Sequence, residues 1–269
     1  EEGQYIPKNE KEAVEYYEKA ANGGHADAMA NYAVMLLNGI GIKKNAKEAF
    51  KWNKQAAELN NTKAMNNVAT QLLTGNGCSK KPKEAIKYLE TSVQRGNVHA
   101  IYLLGTVYEA GQGVDQNMNT AANKYREAAQ KGDEEAMLRT ADLLLEGVYL
   151  DRDTVLAYNY YKFLADKGNV ECCIKTAQHF EEIAEIEQAA HYWGIAAEKE
   201  NPLSMYTYGK MCLEGKGLAK NEALGVEYMK KAADAKIPIA ITRYATIINT
   251  GAFGGKKDQK AALKMLKQS

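Results

Sequence analysis

Ala100-Ile101-Tyr102-Leu103-Leu104-Gly105-Thr106-Val107-Tyr108-Glu109-Ala110-Gly111-Gln112-Gly113-Val114 is the stretch on which the reading of this chain turns. It continues through Ala121 and Ala128-Ala129 to Gly132. The same spacing appears 36 residues earlier as Ala64, Val68-Ala69, Leu72, Gly75, Gly77, Ala85 and Gly96. A further copy reads Ala28, Tyr32-Ala33, Leu36, Gly39, Gly41, Ala49 and Ala56-Ala57. Self-similarity at a fixed period of this size denotes a repeat array, each repeat being one supersecondary unit that buries its apolar face only against its neighbours.

Each unit holds two helical patterns, A and B, around a glycine loop. In the first full copy the spacing predicts helix A over about 26–37, because Ala28, Met29, Tyr32, Ala33 and Leu36 recur at three and four on one face. Gly39-Ile40-Gly41 stops it, since glycine accepts the left-handed conformation of a helix C-terminus. Asn45 with Glu48, and Asn9 with Glu12, read as capping boxes opening helix B, which runs over about 46–59 in this unit. Asn97, Asp133, Asn169 and Asn201 read as caps of helix A. Pro82 suits a first helical turn, whereas Lys81 and Lys257 replace the expected cap. The units fall at 1–24 (partial, with Gly3 in its glycine loop), 25–60, 61–96, 97–132, 133–168, 169–200, 201–236 and 237–269, as a single domain over 1–269. Two depart from the pattern. Tyr149 replaces the second loop glycine of the fourth, and the fifth is four residues short, with the acidic run Glu181 to Glu187 in place of its glycines. The alanine columns of both helices are read as close packing positions. An aromatic column of Tyr16, Trp52, Tyr88, Tyr160, Tyr192 and Tyr228 is read as filler between units.

Composition narrows the function. A formal net charge of +1 over 269 residues provides no field for nucleic acid. No apolar run reaches the length of a membrane span, so no direct membrane insertion is expected. The first residue is not Met and no secretory signal pattern precedes the repeats; upstream sequence is expected to have been removed. The four cysteines have no framework spacing, which favours a reducing, cytoplasmic compartment, the endoplasmic reticulum lumen being the alternative. Cys172-Cys173 fall in core columns. The four histidines show no paired helical spacing, so no metal site, cofactor or catalytic residue is assigned. Gly254-Gly255-Lys256-Lys257 fails as a phosphate loop, with Thr250 at the first glycine position. Lys8, Lys44, Lys80, Arg152, Lys220 and Lys256 share a loop column and read as solvated charges.

Ala100, Leu104-Gly105, Tyr108, Gly111, Gly113-Val114, Ala121, Tyr125, Ala128-Ala129 and Gly132 resemble the unit of the Sel-one-like repeat (SLR) family, relatives of the tetratricopeptide repeats. The resemblance covers essentially the whole chain. It implies an all-α, right-handed α-α superhelical solenoid of about seven helix-pair repeats plus one leading helix. It further implies a non-enzymatic adaptor that binds a protein or peptide. Some secreted members carry a cysteine pair in each repeat and are described as penicillin-binding; that pairing is absent from this chain. A regulatory segment of a larger signalling or membrane-complex protein, and a β-lactam hydrolase-like protein, are the alternatives. In such solenoids helix A lines the concave wall. Its variable stripe places Asn31, Asn67, Arg139, Lys175 and Arg243 in one column, Tyr102 and Tyr206 in the next, and Gln178 and Lys210 one turn on. These nine residues are the expected partner-binding set, the amides and cations clamping a peptide and the tyrosines anchoring it.

Overall fold

The computed structural model describes residues 9–254 and 257–267. Gly3, Lys8, Gly255 and Lys256, named above, lie outside them. Among the described residues the chain is all-helical, with no strand. In order, the helices are α1 (Glu10–Asn22), α2 (Ala26–Asn38), α3 (Ala46–Glu58), α4 (Thr62–Thr74), α5 (Pro82–Gln94), α6 (Val98–Ala110), α7 (Met118–Gln130), α8 (Glu134–Glu146), α9 (Thr154–Asp166), α10 (Val170–Glu182), α11 (Ile186–Glu198), α12 (Pro202–Glu214), α13 (Glu222–Asp234), α14 (Pro238–Thr250) and α15 (Gln259–Leu266), with a short 3₁₀ turn at Ala252–Gly254. Even-numbered helices are the A helices and odd-numbered ones the B helices. The chain forms two compact units, Glu1–Asp151 and Arg152–Ser269, dividing within the loop that carries Tyr149.

Local chemistry sets the ends of these helices. Asn61, Asn97, Asp133, Asn169 and Asn201 each accept the backbone N–H three residues on, capping an A helix. Asn9 and Asn45 cap B helices in the same way. Their side-chain N–H groups also reach Glu12 and Glu48, at 3.0 and 2.7 Å, so each box closes through the cap's own amide. Lys81 supplies no side-chain cap, and Pro82 takes the first turn. Lys257 does not occupy the cap position: Asp258 does, accepting from Ala261 N–H at 2.9 Å. The connection before α15 is one residue longer, so the buried alanine is Ala262 rather than Ala261.

Small residues fill the packing columns as the spacing requires. Ala64, Ala100, Ala136 and Ala240 of the A helices are fully buried, as are Ala56, Ala128, Ala196 and Ala232 of the B helices. Gly105 belongs to this set, because a Cβ there would stand 2.5 Å from the ring of Tyr125. The aromatic column requires correction. Tyr16 is 65 % exposed, and Trp52, Tyr88, Tyr160 and Tyr228 are half-buried, leaving only Tyr192 of that set in the core. The buried column lies one residue later, at Asn53, Leu89, Tyr125, Tyr161, Trp193 and Met229. On a helix one residue is a rotation of about 100°, which carries a side chain from the rim of the apolar stripe to its centre.

The paired loop glycines have different tasks. Gly39, Gly75, Gly111 and Gly215 end their helices in the left-handed conformation. The second glycine packs on the start of the preceding B helix. A Cβ on Gly41 would strike the backbone of Glu10, one on Gly77 that of Ala46, and one on Gly217 that of Ile186. The shortened fifth repeat dispenses with both. Ile183, Ala184 and Glu185 alone join α10 to α11, with Ala184 at φ 61°. Ala184 N–H donates to Glu181 O and Glu185 N–H to Phe180 O, at 3.2 and 2.8 Å. That is the reversal used between B and A helices, where Asn60, at φ 67°, donates to Ala57 O and Asn61 to Ala56 O.

Candidate functional site

In the first compact unit, α2, α4 and α6 present a groove of about 350 Å³ lined by Asn31, Val34, Lys63, Asn66, Asn67 and His99, together with Ala30 and Asn97. It contains two residues of the expected set, Asn31 and Asn67. A relay of carboxamides fixes what it offers. Gln71 Nε2 donates to two backbone carbonyls, Asn76 O at 3.0 Å and Ala46 O at 3.3 Å. Its Oε1 must therefore accept, and does so from buried Asn53 Nδ2 at 2.9 Å. Asn53 Oδ1 in turn accepts from Asn67 Nδ2 at 3.2 Å, which commits the Asn67 amide N–H to the relay.

A second relay ends in the same way. Ala100 N–H donates to Asn97 Oδ1, which fixes that amide as an acceptor. Asn66 Nδ2 donates to the same oxygen at 3.0 Å. Asn66 Oδ1 is left buried with no partner, although the side chain is only 6 % exposed. A buried acceptor without a donor costs about 1–3 kcal/mol, which sets Asn66 apart from the satisfied amides around it. The expected set did not include Asn66, Asn97, Lys63 or His99. Asn66 precedes Asn67, and that doubled asparagine on one helix was the signal available.

Further along this unit, Tyr102 is half-buried between His99 and Tyr125, with ring centroids 5.4 and 5.5 Å away. Arg139 does not present a free cation: its Nη2 donates to Glu109 Oε1 at 2.6 Å, and the Tyr125 hydroxyl donates to the other oxygen of the same carboxylate. Burial pushes the Glu109 carboxyl upward, but the bonds from Tyr125 and Arg139 outweigh it and hold the group below its ordinary range. Burial first, and then Glu109, raise the Tyr125 phenol well above its own. His99 Nδ1 lies 2.9 Å from Asp133 Oδ2 and 3.9 Å from Glu135 Oε2. The bond to Asp133 outweighs desolvation and raises the imidazole above its ordinary value.

In the second unit, Lys175 is half-buried, 3.1 Å from Glu171 and 4.8 Å from the centroid of Tyr161. Gln178, Lys210 and Arg243 are exposed and Tyr206 is half-buried, spread over α10, α12 and α14. His179 stacks on Tyr158 at 3.6 Å. The four cysteines are free thiols, with Cys172, Cys173 and Cys212 buried; burial pushes the Cys173 thiol up to about 11. Of the basic loop column, Lys44, Lys80, Arg152 and Lys220 are exposed, and Lys220 pairs with Glu222 at 2.6 Å. Among the described residues no helix is long and apolar enough to cross a membrane.

Tandem helix pairs with small-residue packing columns and a polar, variable ridge on the first helix of each pair define a helical repeat protein. The chain belongs to the Sel1 repeat family, whose profile matches residues 1–25, 26–61, 62–97, 98–133, 134–169, 202–236 and 238–269. Residues 170–201, the shortened repeat, fall between these matches. Among solved structures, it is similar to a protective antigen of uropathogenic Escherichia coli strains displaying an SLR fold, at 25 % identity and a TM-score of 0.65. That similarity covers 98 % of this chain and 57 % of the E. coli protein. A Sel1 repeat protein from Oxalobacter formigenes is similar at 19 % identity and a TM-score of 0.61, over 98 % of this chain and 78 % of the other. No curated protein is similar enough to match.

Proposed function

We propose that this protein is a non-enzymatic scaffold whose A-helix face holds an extended peptide segment of a partner protein, in a reducing compartment suited to its free thiols. Sel1 repeat proteins are commonly protein-interaction scaffolds, which supports the class. The observation that carries the reading is the groove of Asn31, Asn66 and Asn67, where one relay commits the Asn67 amide N–H to Asn53 and the other leaves Asn66 Oδ1 without a donor. An extended main chain offers N–H groups at regular intervals and needs no particular side chains to do so. Tyr102, held by its ring neighbours, provides apolar area beside them. The cations contribute less than their charge suggests where they are already paired, as Arg139 and Lys175 are.

The test is selection of random peptides on the full chain, followed by affinity measurement on Asn31→Ala/Asn67→Ala. The expected result is enrichment of peptides that bind the parent and bind the variant at least about tenfold more weakly, the equivalent of one or two lost hydrogen bonds. Equal affinity for the variant would place recognition elsewhere. Selection that enriches nothing would remove the peptide-binding reading.

A further inference from the structure

No two histidines of this chain have the spacing of a zinc cassette, and none of the four was assigned a ligand role from sequence. The fold nevertheless brings one of them to two carboxylates that lie 34 and 36 residues further on. His99, Asp133 and Glu135 each bring one ligand atom to within 4.8 Å of the other two, with Asp133 Oδ2 2.9 Å and Glu135 Oε2 3.9 Å from His99 Nδ1. We infer that His99, Asp133 and Glu135 form a binding site for a divalent transition-metal ion of the zinc class.

The positions are built by the repeat itself. Two A-helix caps reach the first turn of the A helix before them. Asn61 Nδ2 donates to Asp27 Oδ1 at 2.6 Å, and Asn97 Nδ2 donates to Thr62 Oγ1 at 3.1 Å. At the next rung the amide is replaced by a carboxylate and its neighbour by an imidazole. The contact is kept, now with ligand chemistry on both sides and with Glu135 joining from the first turn of α8.

Asp133 is oriented before any ion arrives. Its Oδ1 accepts from Ala136 N–H at 2.9 Å, which leaves Oδ2 turned to His99. Tyr102 lies against the imidazole at 30° between planes. Such outer contacts orient ligands in metal sites. Bonds of about 2.0–2.2 Å to nitrogen and oxygen separate ligand atoms by about 3.4 Å in a tetrahedron, within the span of this cluster. The site is open on one side, with His99 41 % and Glu135 62 % exposed, so water has access to a fourth position.

Charge and ligand type select the ion. Two carboxylates outweigh the roughly half positive charge of the α8 N-terminus. One imidazole with two carboxylate oxygens suits zinc, nickel or cobalt(II), and falls short of the six or more oxygens that calcium takes.

The experiment is titration of the chelator-treated full chain with zinc chloride, followed by calorimetry, with Asp133→Asn and His99→Ala as variants. Asparagine caps the equivalent helices at 61, 97, 169 and 201, so Asp133→Asn keeps the fold, which far-ultraviolet circular dichroism verifies. The expected result is one ion per parent chain, weakened at least about tenfold in each variant. Cobalt(II) should give visible d–d bands in the parent that His99→Ala abolishes. Failure of the parent to bind either ion would overturn the inference, as would equal stoichiometry and affinity in the double variant.

Discussion

The connection between α4 and α5 and the connection between α10 and α11 reverse the chain by different means. The first uses seven residues, with Gly75 closing α4 and Gly77 lying on the carbonyl of Ala46 at the start of α3. The second uses Ile183, Ala184 and Glu185, no glycine, and the hydrogen bonds of an ordinary B-to-A turn. Reversal by itself therefore requires only one residue in the left-handed region, and even alanine fills it. The glycine pair serves a second purpose, which is to bring the loop against the preceding repeat. Gln71 fastens that contact, because its amide reaches Asn76 in the loop and Ala46 beneath it.

If this is the division of labour, Gly77→Ala should do more damage than any single change in the shorter connection. A Cβ would collide with the Ala46 backbone, and φ is 82°. Left-handed strain of about 1–2 kcal/mol joins overpacking of about 1–3 kcal/mol, for a loss of roughly 3 kcal/mol. Gly96→Ala shares the strain, with φ 84°, but meets nothing within 4 Å and should lose only about 1 kcal/mol. Urea midpoints followed by helical circular dichroism measure both, and equal losses would break the comparison.

Gln71→Leu comes next. It strands Asn53, at a cost of about 2 kcal/mol, and frees the Asn67 amide to flip, so peptide affinity and stability should fall together. Ala184→Gly works in the opposite direction. Relief of its left-handed strain, reduced by the greater entropy of unfolded glycine, should stabilise the protein by about 0.5–1 kcal/mol in the same assay. The smallest effect concerns Glu109, just ahead of the Gly111 loop. Its folded pKa is depressed, so its contribution is present above the ordinary carboxylate range and is lost as pH falls through the folded value. Glu109→Gln should show a shallower decline in melting temperature on acidification than the parent.

The period, the helix boundaries and the glycine stops were legible because most copies repeat them: helix A, expected over about 26–37, spans Ala26–Asn38. The aromatic column was misplaced by one residue because apolarity alone does not say which of two neighbours points inward, as at Tyr160-Tyr161, Tyr88-Leu89 and Tyr228-Met229, where the second is the buried one. Lys257 was misassigned for a similar reason, since one added residue moves the cap to Asp258 without disturbing the composition. Of the expected binding set, Asn31 and Asn67 share a groove. The relays behind Asn67 and Asn66 depend on partners 14 to 31 residues away, at separations that helix periodicity does not relate. The isolated histidine at 99 acquired neighbours by the same route.

The cap-to-first-turn contact has a consequence for how such chains diversify. Asp27 meets Asn61, Thr62 meets Asn97, and His99 meets Asp133, while the helices on either side keep the same length and ends. Two side chains there can be exchanged together, as a matched couple, with the helical framework left as it stands. A lineage built on this plan is free to try new surface chemistries one rung at a time, drifting in what it holds while inheriting how it folds.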